Sequence, residues 1–136
     1  MSGGWTCPAC NRTFSRTNQR HACGTGDRAD VLRNRSPGIL SLYAALERLA
    51  TSLGKVEFVT RERYVLLRTT RIFADAVVGP TAIRLAIHLP QEVAHPLFFK
   101  VGADRRQVTH VAKVQSMSDL ESLEPFLRTA YEYSLR

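Results

Sequence analysis

The sequence predicts an α+β fold, an antiparallel β-sheet flanked by an N-terminal and a C-terminal helix, behind a small cysteine-bearing module. Three observations predict it. All cysteines fall within the first 23 residues, where branched aliphatic side chains are nearly absent. Apolar residues recur at three- and four-residue steps once before and once after a long middle stretch. Within that stretch apolar and polar residues alternate, the period expected of strands with one buried face.

At 136 residues, 44% of them apolar and 23% charged, the chain is globular rather than disordered. No run approaches the ~18 apolar residues a membrane span requires, so no membrane partner is expected. Nineteen Lys and Arg against twelve Asp and Glu give a net charge of +7, which favours polyanionic partners. The bias sits at the front: residues 1–36 carry six Arg and two Asp, a net +4, and the remaining hundred carry only +3. The opening MSGGWTCPAC has neither the basic nor the apolar region of a secretory leader, and a cytoplasmic location is expected.

The composition divides the chain into a head at 1–24, a linker at 25–36 rich in turn-forming residues, and a domain at 37–136. Ser36 can cap a helix with Pro37 at its first position, and Ile39, Leu42, Tyr43, Leu46, Leu49, Ala50 and Leu53 then line one face up to Gly54. Strand-like stretches follow at 63–70, 72–78 and 82–89, with Gly79-Pro80 turning between the last two. Ile83, Leu85, Ile87 and Leu89 alternate there with Arg84, Ala86 and His88. The apolar stretch 97–101 fits either strand or helix. Val108, His110, Ala112 and Val114 alternate with Thr109, Val111 and Lys113, which predicts another strand. Ser118-Asp119 is expected to cap a final helix bearing Leu120, Leu123, Phe126, Leu127 and Tyr131.

The head holds the sharpest motif, Cys7-Pro8-Ala9-Cys10 followed after ten residues by His21-Ala22-Cys23. Two cysteines separated by two residues form a knuckle whose turn lets both sulfurs reach one ion, and the His and Cys complete a tetrahedron. Four ligands leave no open position for water, so the expected cofactor is one structural Zn2+ in a zinc-finger-like module. Three cysteines and one histidine leave no thiol over, whereas a disulfide would strand one. A redox CxxC needs a preceding strand, and only six residues precede Cys7; covalent haem attachment needs His at position 11, which is Asn. Trp5 and Phe14 are read as a miniature core over the metal, with a base-stacking platform as the alternative. Arg12, Arg16 and Arg20 recur every four residues and would stripe one helical face. That stripe can track phosphates of a nucleic acid, or it can be a solvated face offsetting the thiolates.

These residues carry a resemblance. The head W-T-C-P-A-C-N-R-T-F with T-N-Q-R-H-A-C resembles the zinc-binding head of some bacterial proteins of domain of unknown function family 5655. The segments L-Y-A-A-L-E-R-L, T-R-I-F-A-D, I-R-L-A-I-H-L, T-H-V-A-K-V-Q-S and L-R-T-A-Y resemble that domain itself. The resemblance implies an α+β fold and a bacterial cytoplasmic protein, and it implies no activity. Asn11 stands where such heads show Gly after the second Cys; Asn tolerates a left-handed turn.

In the larger domain the candidate polar groups are His88, His95, His110, Asp75, Arg71, Arg84, Tyr64 and Lys113. If Ile83, Leu85 and Ile87 face the core, Arg84 and His88 share the opposite face, and His110 on a neighbouring strand would make with them an anion-binding cluster. The plainer reading is a solvated sheet face. There is no nucleophile elbow, phosphate-cradling loop, HExxH motif or spare cysteine, which weighs against an enzyme without excluding one. Two function classes follow. One is a non-enzymatic zinc-headed adaptor touching nucleic acid, with the domain binding a protein partner or forming a homo-oligomer. The other is a small-ligand or anion-binding domain with a purely structural head.

Overall fold

The computed structural model describes residues 4–6, 13–14, 28–61 and 64–136. In chain order these form β1 (Trp5–Thr6), β2 (Thr13–Phe14), α1 (Arg28–Val31), α2 (Pro37–Leu53), β3 (Glu57–Thr60), β4 (Val65–Arg68), β5 (Ile72–Val78), β6 (Ile83–Leu89), β7 (Phe98–Ala103), β8 (Val108–Val114) and α3 (Met117–Ser134). Strands β1 and β2 pair with each other, antiparallel, Trp5 opposite Phe14 and Thr6 opposite Thr13. The other six make one antiparallel sheet in the order β3-β4-β5-β6-β8-β7. The fold is α+β.

Ser36 Oγ accepts from the Ile39 N–H at 3.3 Å, and Pro37 opens α2 as its spacing predicts. Ile39, Leu42, Tyr43, Leu46 and Ala50 are its buried stripe. They join Leu120, Leu123, Leu127 and Ala130 of α3 in a single core against Val65, Leu67, Ala74, Ala76, Val78, Ile83, Leu85, Ile87, Leu89, Ala112 and Val114 of the sheet. Registers Ala76 with Leu85 and Leu85 with Ala112 put those strand residues on one face. Both helices therefore cover one side of the sheet, and among the described residues no helix covers the other, the uncovered face. Gly54 ends α2 at φ 152, and a Cβ there would stand 2.0 Å from the Tyr131 hydroxyl oxygen, so glycine lets α3 close over the helix end.

The structure adds to the expectation in four places. Strand β3 had no sequence signal, because four residues with Glu57 and Thr60 at the ends carry too little alternation. The undecided stretch around 97–101 is edge strand β7. The cap of α3 is Ser116 rather than Ser118: its Oγ accepts from the Asp119 N–H at 3.1 Å while Asp119 Oδ2 accepts from the Gln115 N–H at 2.9 Å, so reciprocal capping begins two residues earlier. Part of the expected linker is docked. Val31 is buried in the core, the Arg28 guanidinium donates to both Glu47 carboxylate oxygens at 2.7 and 2.8 Å, and Arg35 Nε donates to the Val78 carbonyl at 3.0 Å. The turn-forming composition of 25–36 hid that single buried valine. Among the described residues no helix is long and apolar enough to cross a membrane.

Candidate functional site

The uncovered face is built by the alternate residues of the same strands. Register places Leu66, Asp75, Ala86, Val111 and Lys100 in one row across it, and Val77, Arg84 and Lys113 in the next. Strand β7 carries a bulge: Phe98 pairs with Ala112 but Lys100 with Val111, so Phe99 is the extra residue. The extra residue sends both Phe99 and Lys100 to the uncovered face, while Phe98 packs on His110 and Phe126 on the covered one. Phe99 is 59% exposed, and the Arg84 guanidinium sits 5.5 Å from its ring centroid, a cation–π distance. Val77, Gly79, Ala82, Arg84, Phe99 and Lys113 line a cleft of about 210 Å³. Arg84 and Lys113 stand directly opposite each other, and among the described residues neither forms an ion pair with a carboxylate.

On the same face, four residues along β6 from Arg84, His88 Nδ1 lies 3.0 Å from Thr109 Oγ1 and 3.2 Å from Gln107 Nε2, and His88 Nε2 lies 3.8 Å from Asp75 Oδ2. The amide nitrogen of Gln107 is a donor, so Nδ1 accepts and the ring hydrogen is assigned to Nε2, toward Asp75. Burial pushes the His88 imidazole below its ordinary 6.5 against the pull of Asp75 and Asp104. Burial also raises the Asp75 carboxyl above its ordinary range, with His88 and Arg84 pulling it back down. The order Thr109, His88, Asp75 has the sequence of a hydroxyl, a base and an orienting acid. Thr109 Oγ1 is within hydrogen-bond distance of Nδ1, but Gln107 shares that lone pair and Asp75, at 3.8 Å, is beyond hydrogen-bond reach of Nε2, so the contact that would orient the base is not made.

The proposed companion of this face, His110, is on the other side. It pairs with Ile87 on the neighbouring strand, is 0% exposed, accepts from the Val93 N–H at Nε2 (2.9 Å) and meets the Val108 carbonyl at Nδ1 (3.0 Å). Both ring nitrogens are satisfied by backbone, and the ring pins the 90–97 connection to the sheet. Arg84 and His88 thus share a face as expected, and His110 does not join them. Arg71 donates to the Tyr133 carbonyl at the end of α3, His95 packs on Phe98 and Phe126, and Tyr64 lies in the β3–β4 turn. Phe99 was missed by sequence reasoning; two successive phenylalanines in a strand, of which alternation can bury only one, were the available signal.

The expected metal ligands Cys7, Cys10, His21 and Cys23, and the arginines Arg12, Arg16 and Arg20, lie outside the described residues. Among the described residues no three His, Cys, Asp or Glu side chains group as metal ligands.

Compared with known protein families, residues 29–134 match the family described as Domain of unknown function (DUF5655). The chain belongs to that family. The DUF5655 match opens within α1 and closes at the last residue of α3, so α1 belongs to the domain, as its docking contacts indicate. The cleft and the uncovered face lie wholly inside the DUF5655 domain, and the four expected metal ligands precede it. No curated protein and no solved structure matches the chain significantly.

Proposed function

We propose that this chain is a non-enzymatic, zinc-headed binding protein whose DUF5655 domain holds an anion on the uncovered sheet face. One observation carries the reading: Arg84 faces Lys113 across β6 and β8, and among the described residues no carboxylate lies within ion-pair distance of either. Like charges directly opposite on a sheet are destabilising, and an anion between them removes that cost. Glu57 faces Arg68 across β3 and β4 on the same sheet, where opposite charges are matched. The test is a titration of the full chain with inorganic phosphate, followed through backbone amide resonances. Shifts centred on Arg84, Lys113 and Phe99 that vanish in Arg84→Gln/Lys113→Gln support the reading; shifts spread evenly over the surface, or none, overturn it.

For the head, Trp5–Thr6 pairs antiparallel with Thr13–Phe14, and Cys7 and Cys10 fall between these two strands in the sequence, which favours a zinc knuckle. Cys7, Cys10, His21 and Cys23 would hold one Zn2+, whose role is to order a segment too poor in apolar residues to fold alone. Elemental analysis should find one zinc per chain, and chelation should leave residues 28–136 folded. The second reading, nucleic-acid contact through Arg12, Arg16 and Arg20, is favoured by the +4 charge of residues 1–36. It requires binding that weakens steeply with salt and is lost when those three arginines are replaced.

A further inference from the structure

We infer that the uncovered face is a platform for single-stranded nucleic acid, with a base stacked on Phe99 and its flanking phosphates held by Arg84, Lys113 and Lys100. This rests on the anion reading above and names its ligand.

Four features select that ligand. Phe99, at 59%, is the most exposed large apolar side chain among the described residues, and it stands on a sheet face beside cations rather than over the core. Every base has a π-face, so such a ring binds unpaired bases without reading sequence. The cations supply the second half of the recognition: Lys100 shares the bulge with Phe99, and Arg84 and Lys113 wall the cleft beside it. The cleft measures about 210 Å³. Sites that enclose a small ligand run about 300–1,000 Å³, so a free nucleotide would remain largely uncovered and an extended strand, held by several shallow contacts, fits better. A duplex keeps its bases stacked on one another and cannot offer one to Phe99. Finally, the platform rests on strands rather than loops. The β7 bulge sets Phe99 against β8, and β8 sets Lys113 against β6, so the aromatic and the cations are fixed relative to one another by backbone hydrogen bonds.

The test is fluorescence anisotropy of a fluorescein-labelled twelve-residue oligothymidylate, and of a duplex of equal length, with the full chain at 50 mM salt and above. Phe99 is exposed, so Phe99→Ala leaves the core intact. It should weaken single-strand binding about fivefold to a hundredfold, and Phe99→Tyr should restore it. Arg84→Gln/Lys113→Gln should lower the slope of log affinity against log salt by about 1.4. If the charge variant loses binding while Phe99→Ala binds as the parent does, the anion reading stands and the platform is overturned. If neither variant alters binding, both are overturned and the contact belongs elsewhere on the chain. Duplex bound as tightly as single strand, or no binding at 50 mM salt, overturns the platform. So does a concentration-dependent dimer abolished by Phe99→Ala, because a second copy would then cover the face.

Discussion

The sheet has two bulges, and each delivers a phenylalanine to a different fate. On β5 the register moves from Leu67 opposite Ala74 to Arg68 opposite Ile72, which makes Phe73 the extra residue; it is 1% exposed and meets Tyr131 of α3 edge-on at 5.8 Å. On β7 the extra residue is Phe99, left 59% exposed beside Arg84. One device serves packing on the helix side and presentation on the other. The histidines repeat the contrast. His110 is closed off by two backbone partners, whereas His88 shares its neighbourhood with Asp75, Thr109 and Gln107. The covered face answers to stability, and the uncovered face carries groups that stability does not require.

The sharpest test of that contrast is truncation on the two sides. Leu123→Ala, at a fully buried site beneath the sheet, should cost about 2–5 kcal/mol in urea unfolding. Val77→Ala, on the uncovered face, should stay within about 0.5 kcal/mol. Equal losses would mean that something covers the second face. Next in size, His110→Leu should cost about 1–3 kcal/mol, because the Val93 N–H and the Val108 carbonyl lose their partner inside the protein. His88→Gln, measured beside it, should cost clearly less.

The smallest effect is a pH dependence belonging to His88 alone. Its folded value lies below the unfolded 6.5, so on acidification the unfolded chain takes up the proton first. The full contribution of His88 is present above 6.5 and is lost as pH falls from there through the lower folded value. Asp75, raised by burial, works in the opposite sense: its penalty is absent below its unfolded 3.8 and grows as pH rises through the raised value. Unfolding midpoints at pH 7.5 and 5.5 should therefore differ more in the parent than in His88→Gln. An identical difference in both would remove His88 as the source.

Local signals made much of this legible. Ser36-Pro37 and the spacing from Ile39 to Leu53 define α2 because caps and amphipathic stripes are written within a few residues. The alternation from Ile83 to Leu89 likewise separates Arg84 and His88 from the core. The alternation of β8 already grouped His110 with Ala112 and Val114, the apolar side, and that grouping was the better guide to its face than the chemistry of imidazole. Strand order, the bulges and the docking of Val31 are contacts between distant segments, and no local pattern encodes them. The Phe98-Phe99 pair hinted that one ring is exposed, but that Phe99 and Lys100 share a face needed the structure, since only the register shift reveals it.

The exchanged positions of β7 and β8 carry a kinetic consequence. Strand β7 pairs with β8 and not with β6, although β6 precedes it in the chain. The two close a short hairpin at Asp104, whose Oδ1 accepts from the Arg106 and Gln107 N–H groups at 2.8 and 3.0 Å. That hairpin is a local unit that can form before it docks, and β8 alone joins it to the rest of the sheet. Arg84 remains on the β6 side of this seam, while Lys113, Phe99 and Lys100 travel with the hairpin. Opening of the seam would part Arg84 from Lys113 and Phe99 in one movement, with β3 to β6 still paired. Amide hydrogens that bond across β6 and β8 would then exchange together, as one cooperative unit.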